Sequence, residues 1–325
     1  MEGTFTEIID LYDYEVDDGR QESTEEERDA REVLSYVDAL DEGLRLITED
    51  GLPICRRVFD RVHATLLANA RGRQNRPGEI RQIQNLIGNP LGGRGSRFVP
   101  PPPEEVPRLV ANLEKFYNQP TPHFTPLTRL AIAHYQFETI HPYYDGNGRL
   151  GRLLVPLALV ADGVLDGPFL YISGYLESDK RAYVDALRAV STHNEWLPWI
   201  ELFLTAAKVE AINSVKRLNL LRLCRQSMRN ELQRTNRSNT PVQLLDALFT
   251  GPIVTTRRAE QILDVTPRAA RQNIEKLEAA GILSRMPPSH PQRFVLRSLV
   301  SILGLPNEDV ADATPEQFFR PRTSM

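Results

Sequence analysis

"HPYYDGNGRLGR", residues 141–152, lies between two apolar segments, "PLTRLAIAHYQFETI" before it and "RLGRLLVPLALVADG" overlapping its end. The first segment reads as a helix that delivers the chain to His141. The second is apolar on nearly all sides and stops at Gly163, as expected of a helix buried at the centre of a mainly helical fold. A turn between two helices needs only one glycine or asparagine. Here Asp145, Gly146, Asn147 and Gly148 follow one another, with His141 on one side and Arg149 and Arg152 on the other. That excess over a simple turn points to chemistry.

Successive glycines and an asparagine let consecutive backbone N–H groups converge on one point, a concavity suited to anions. The expected helix begins at Arg149, so the positive end of its dipole faces the same point. Arg149 and Arg152 add fixed charge and forked donors that match phosphate oxygens. Asp145 at the rim offers a carboxylate that can share a Mg2+ with a polyphosphate. His141, whose ordinary pKa lies near neutrality, is the candidate base toward an attacking hydroxyl. Cradle, metal, charge clamps and base together imply phosphoryl or nucleotidyl transfer.

Working outward, 325 residues suffice for one large domain and a smaller one. The expected parts are an acidic N-terminal region with a helix (1–50), a catalytic domain (51–235), a small C-terminal domain (236–305) and a flexible tail (306–325). "STEEERDAREVLSYVDALDEGLRLI" opens with Thr24 and Glu27 at capping-box spacing and carries one apolar stripe, Val33, Leu34, Val37, Leu40 and Leu44. "GEIRQIQNLIGNPLGGRGSRFVPPPP" reads as a β-hairpin ended by four prolines. Cys55 and Cys224 are far apart in helical patterns, the usage of thiols in a reducing cytoplasm. No apolar run is long enough to cross a bilayer, and the acidic start lacks the features of a signal peptide.

The net charge of −4 is unevenly distributed. Residues 1–50 hold 18 acids against 4 bases, whereas residues 253–297 hold 8 bases against 4 acids. The basic end contains "PVQLLDALFT", "TRRAEQILDV" and "TPRAARQNIEKLEAAG", three short helices, the third with Thr266 as N-cap, Pro267 at its first position and Gly281 at its end. "ILSRM" and "RFVLR" then form a hairpin. Three helices and a hairpin imply a winged helix-turn-helix, with Arg257, Arg258, Arg268, Arg271, Arg285, Arg293 and Arg297 available to DNA phosphates. Such domains also serve protein contacts and dimers, so a DNA partner and a homodimer both stay open.

The string H-P-x-x-D-G-N-G-R-x-x-R resembles the signature of Fic domains, all-helical enzymes that mostly transfer AMP from ATP to protein hydroxyls. The resemblance runs from the N-terminal helix to about residue 210, and "IRQIQNLIG…FVPPPPEEVPRLVANLEKF" looks like the family's flap hairpin and following helix. It implies His141 as the base toward a Ser, Thr or Tyr hydroxyl and Asp145 as the Mg2+ holder. It further implies Gly146, Asn147 and Gly148 as the phosphate cradle, and Arg149 and Arg152 as phosphate clamps. Relatives that transfer phosphate carry lysine where this chain has Gly148. In "SDKRAYVDAL", Asp179, Lys180 and Val184 stand where many relatives have asparagine, arginine and tyrosine, while Tyr183 fits the adenine side. The flap implies a target protein docked as an added strand. The competing expectation is a DNA-binding regulator that uses a Fic-like domain to sense nucleotide. It needs the cradle but not the base.

Many relatives also carry an inhibitory helix ending in [S/T]-x-x-x-E-[G/N], whose glutamate pairs with the second motif arginine. Glu2 and Gly3 look like the end of that motif. Its Ser or Thr would fall before residue 1, so either the start is truncated or the helix is a stub, and Glu2 is expected to inhibit only weakly in this chain.

Overall fold

The computed structural model describes residues 25–68, 76–88, 98–120, 123–287, 291–310 and 312–320. They form two units, one built on residues 31–211 and one on residues 212–325. The first contains α1 (Glu25–Thr48) from Arg31 onward, α2 (Arg56–Leu66), α3 (Val106–Asn118), α4 (Pro126–Ile140), α5 (Asn147–Ala161), α6 (Ser173–Ser178), α7 (Lys180–His193) and the first turns of α8 (Trp196–Thr235). Helix α5 is the centre of its core. Leu150, Leu153 and Leu157 are fully buried, and every residue from Leu153 to Leu159 faces protein. It packs against α2 and α4. Gly151 permits the close approach to α4, because a Cβ there would run into the Glu138 carboxylate. Trp199 and Phe203 close the core from α8, and the Trp199 indole donates to the Ala131 carbonyl at 2.9 Å.

Local chemistry sets the helix starts. Thr125 caps α4 by accepting from the Thr128 N–H, with Pro126 in the first turn, and Asp179 caps α7 by accepting from Ala182. Helix α5 begins at Asn147 rather than at the expected Arg149. The left-handed Gly146 (φ 72°) turns the chain into the helix two residues earlier.

The stretch expected as a hairpin lies between α2 and α3. Ile87 and Phe98 exchange N–H···O bonds of 2.9 Å as a single antiparallel bridge, and a second bridge joins Ile80 to Tyr143. The tip, residues 89–97, lies outside the described residues.

The second unit runs α9 (Thr240–Leu248), β1 (Ile253–Val254), α10 (Thr256–Leu263), α11 (Pro267–Ala279), β2 (Ser284–Arg285) and β3 (Phe294–Val295). Its strands make one antiparallel sheet in the order β1–β3–β2, with Ile253 opposite Val295 and Ser284 opposite Val295. Leu244, Val254, Ile274, Leu277 and Leu296 fill its core. Thr266 caps α11 and Gly281 (φ 73°) ends it, both at the expected positions.

The expected flexible tail needs correction. Within 306–320 the chain forms α13 (Asn307–Val310) and α14 (Pro315–Phe318), after α12 (Arg297–Leu303). Val310 and Phe319 are buried, and the Ser298 hydroxyl donates to the Phe318 carbonyl at 2.8 Å. Arg217 donates to the carbonyls of Ile302, Leu303 and Leu305 (2.6–3.1 Å), placing a cation at the end of α12.

Candidate active site

Two side chains shape the loop from His141 to Gly146. Asn147 is buried, and its amide makes two hydrogen bonds to Tyr143: the Tyr143 N–H donates to Oδ1 at 2.8 Å and Nδ2 donates to the Tyr143 carbonyl at 2.9 Å. The Asn147 side chain therefore holds the loop, and its contribution to an anion is its backbone N–H. Gly146 has no side chain with which to cap the helix, and its own N–H donates to Asp145 Oδ1 at 2.7 Å. The first α5 hydrogen bond runs from Leu150 N–H to Gly146 O at 3.0 Å, so the N–H groups of Asn147 and Gly148 have no acceptor within the helix. Asp145 is exposed at the mouth.

His141 ends α4 in the left-handed conformation (φ 50°, ψ 61°), its N–H donating to Phe137 O at 3.0 Å. Its Nδ1 lies 3.3 Å from the Glu138 carbonyl. A carbonyl can only accept, so Nδ1 carries the proton and Nε2 keeps the basic lone pair. Burial lowers the imidazole pKa to about 4, with the nearby Arg81 charge acting in the same direction and the Glu138 hydrogen bond and Asp145 opposing. The ring is therefore neutral at pH 7, with the Nε2 lone pair unprotonated.

Arg149 forms an ion pair with Glu32 of α1, and both side chains are largely covered. Arg152, one turn along α5, is half-buried; its charge acts on Tyr36, His134 and Tyr183. Tyr183 on α7 reaches this turn through His134. Its hydroxyl lies 3.2 Å from His134 Nε2, while His134 Nδ1 donates to the Gly151 carbonyl at 3.2 Å. The structure thus gathers His141, Asp145, Gly146, Asn147, Gly148, Arg149 and Arg152 around the start of α5, with Tyr183 beside its second turn. Glu2 lies outside the described residues.

Several residues that shape the site carried no signal in the sequence reading. Buried His63 on α2 donates from Nε2 to the Asp145 carbonyl (2.9 Å), accepts the Gly78 N–H at Nδ1 (2.8 Å), and stacks on Tyr143 with ring centres 4.0 Å apart. The Tyr143 hydroxyl donates to Asp60 at 2.7 Å, and Asn85 Nδ2 donates to the Tyr143 carbonyl at 2.9 Å. Arg81, only 1% exposed, donates from Nε to His141 O (2.8 Å) and from its two Nη atoms to Pro101 O (2.6 Å), Ile83 O (3.2 Å) and Ile140 O (3.3 Å). His63, on the buried face of α2 with Val62 and Leu66, looks in sequence like a core histidine, and Arg81 sits among polar residues in "GEIRQIQN".

Asp145 is the one motif carboxylate at the mouth, and among the described residues no three His, Cys, Asp or Glu side chains come together as a metal cage. That donor set fits a divalent cation that draws most of its oxygens from a polyphosphate and water.

The family model described as Fic/DOC family matches residues 53–159. A probable protein adenylyltransferase of Aquifex aeolicus is 39% identical over 95 residues, which is 28% of this chain and 29% of that protein. The protein adenylyltransferase fic-1 of Caenorhabditis briggsae is 35% identical over 103 residues, 31% of this chain and 18% of its own length. The chain thus spans less than a third of these curated relatives. A crystal structure of a Fic family protein from Desulfovibrio desulfuricans G20 superposes with a TM-score of 0.53 at 22% identity, covering 89% of this chain and 80% of that one, a likeness of fold. The loop, α4, nearly all of α5 and the Arg81 clamp fall inside residues 53–159, the segment that the Fic/DOC family model matches.

Proposed function

We propose that this chain is a protein adenylyltransferase that uses ATP and Mg2+ to place AMP on a Ser, Thr or Tyr hydroxyl of a target protein. The observation that carries the reading is His141: a neutral imidazole with its lone pair on Nε2, at the start of a helix whose first turns bear Arg149 and Arg152. In the proposed step His141 takes the hydroxyl proton while the hydroxyl oxygen bonds to the α-phosphorus. The bond from that phosphorus to the oxygen bridging to the β-phosphorus breaks, and pyrophosphate leaves. The N–H groups of Asn147 and Gly148, with Arg149 and Arg152, hold the phosphate oxygens and neutralise the charge that develops on them. Asp145 would hold the Mg2+, which when bound would draw charge off the phosphates. Tyr183, near the second turn of α5, is proposed to line the adenine side.

The target is proposed to dock along the segment that carries the Ile87–Phe98 bridge. Ile83, Leu86 and Val99 there are 62%, 59% and 61% exposed, apolar contacts for a strand added at its edge. The catalytic part is proposed to span 51–235, with Glu2 as a candidate brake on Arg152. Among the described residues no helix is long and apolar enough to cross a membrane; a cytoplasmic site of action is proposed with the reaction. For the second unit, the order helix, strand, helix, helix, hairpin supports a winged helix over 236–305 and a DNA partner, with a homodimer as the other role. ATP labelled at the α-phosphorus, incubated with the protein and a cell lysate, should leave its label on protein, and γ-labelled ATP should not. Retention of the γ label instead would replace AMP transfer with phosphate transfer.

A further inference from the structure

We propose that Arg81 is a positioning residue for His141, locking the backbone of the base and tying it to the segment on which a target would dock. The inference rests on His141 acting as the base. Two peptide planes meet at His141, and their orientations are its φ and ψ. The carbonyl of one is Ile140 O and of the other His141 O, and the Arg81 guanidinium holds both, at 3.3 and 2.8 Å. The Arg81 backbone N–H also donates to the next carbonyl, Pro142 O, at 2.9 Å. A non-glycine residue at φ 50° returns to a relaxed conformation unless its surroundings fix it. With both planes fixed, the imidazole is held where Nδ1 meets the Glu138 carbonyl and Nε2 presents its lone pair.

The same guanidinium holds Ile83 O and Pro101 O, one on each side of the Ile87–Phe98 bridge. A shift of that bridge therefore moves the anchor of His141. Only a planar fork of several donors can serve four carbonyls in different directions; a lysine ammonium is one point with three donors on a flexible stem. Arg81 is buried, so its charge is tolerable only while those carbonyls surround it.

The test compares Arg81→Lys and Arg81→Ala with the wild type, reading transfer of α-labelled AMP onto the protein itself. Arg81→Lys should lower kcat roughly tenfold to hundredfold with KM for ATP within about twofold, since misplacing a reacting group by an ångström has that scale of effect. Arg81→Ala should fall as far and be partly rescued by millimolar guanidinium. A wild-type kcat in Arg81→Lys, or a fall in kcat matched by an equal rise in KM, would overturn the inference. A readout that needs no reaction is the nitrogen NMR signature of His141, protonated on Nδ1 in the wild type and mixed between tautomers in both variants. If the wild type transfers nothing, the adenylyl-transfer reading fails. An unchanged tautomer in both Arg81 variants sinks the coupling on its own. Should neither variant fold, the Arg81 Nε–H resonance decides. It should be protected from exchange in the wild type and shift in His141→Ala; an unshifted resonance counts against the coupling.

Discussion

Two helix starts in this chain carry a pair of arginines one turn apart, and the chain finishes them differently. At α11 the pair is Arg268 and Arg271. Thr266 accepts the Ala269 N–H, Pro267 has no N–H to satisfy, and Arg271 pairs with Glu275 on its own helix. At α5 the pair is Arg149 and Arg152. The residue before the helix is Gly146, which cannot cap, and the side chain of Asn147 turns back to Tyr143. One start is completed by its own side chains. The other has its loop fixed from behind, by Asn147, His63 and Arg81, so that the donors at its tip face outward without a cap. Equal arginine spacing in the sequence thus hides an unequal preparation for an anion, and the cap is what separates the two.

The largest expected effect breaks the comparison at α5. His141→Ala should lower AMP transfer by roughly 10²–10⁴-fold, the usual scale for loss of a general base. ATP affinity should stay within a few-fold, because the proposed phosphate contacts lie at the helix start and not at the imidazole. Single-turnover transfer measures the first and calorimetry the second. Wild-type transfer in this variant would remove His141 from the mechanism.

Next is the loop itself. Asn147→Ala leaves the Tyr143 N–H, in a buried turn, without its partner, at about 1–3 kcal/mol, and leaves the Tyr143 carbonyl with Asn85 alone. Thr266→Ala removes only a cap and should cost about 1 kcal/mol. Urea denaturation of both variants sharpens the comparison, with Asn147→Ala the more destabilised and the weaker for ATP. Equal losses would mean that the asparagine is merely another cap.

The first unit should also respond to acid. His63, His134 and His141 each have a pKa lowered to about 4, in every case chiefly by burial. Unfolded, each would titrate near 6.5. Between those values the unfolded chain binds protons that the folded chain does not. Stability is therefore complete above about pH 6.5 and declines as pH falls toward 4, by of order 1–3 kcal/mol per histidine. Melting followed across that window checks the sign. His134→Gln should flatten the slope, and a melting temperature that rises on acidification would contradict the burial of these rings.

The sequence made the tips of the site readable and left its support hidden, for a physical reason. His141, Asp145, Arg149 and Arg152 lie within 12 consecutive residues, so their proximity needs no folding to be seen. Arg81 and His63 reach the same loop across 60 and 82 residues of chain, and neither belongs to a periodic pattern that announces it. The long helices were legible because apolar spacing repeats over several turns. Strand β1, two residues long, offers no alternation to detect, and the helices of the C-terminal tail follow from single buried side chains, Val310 and Phe319. Glu32 resembles any other acid on an acidic helix until its partner, Arg149, is placed opposite.

The smallest expected effect concerns the completed start. Arg271 is 75% exposed and its partner Glu275 53% exposed, so Arg271→Ala should change stability by no more than about 0.5 kcal/mol. Its bearing on function is sharper. If α11 lies against a duplex, Arg268 and Arg271 each neutralise about one phosphate, and removing either should lower the slope of log affinity against log salt by about one. Other basic side chains nearby are already engaged. Arg285 pairs with Glu278, and Arg293 is buried. The expected slope of the wild type is therefore shallow, about two to four released counterions, and affinity should be measurable only at low salt. Fluorescence anisotropy of a labelled duplex across a salt series, with the full chain, gives both numbers. A wild-type affinity that does not change with salt, or that survives loss of both arginines, would assign α11 to a protein partner. The two helix starts would then differ in kind of ligand as well as in cap.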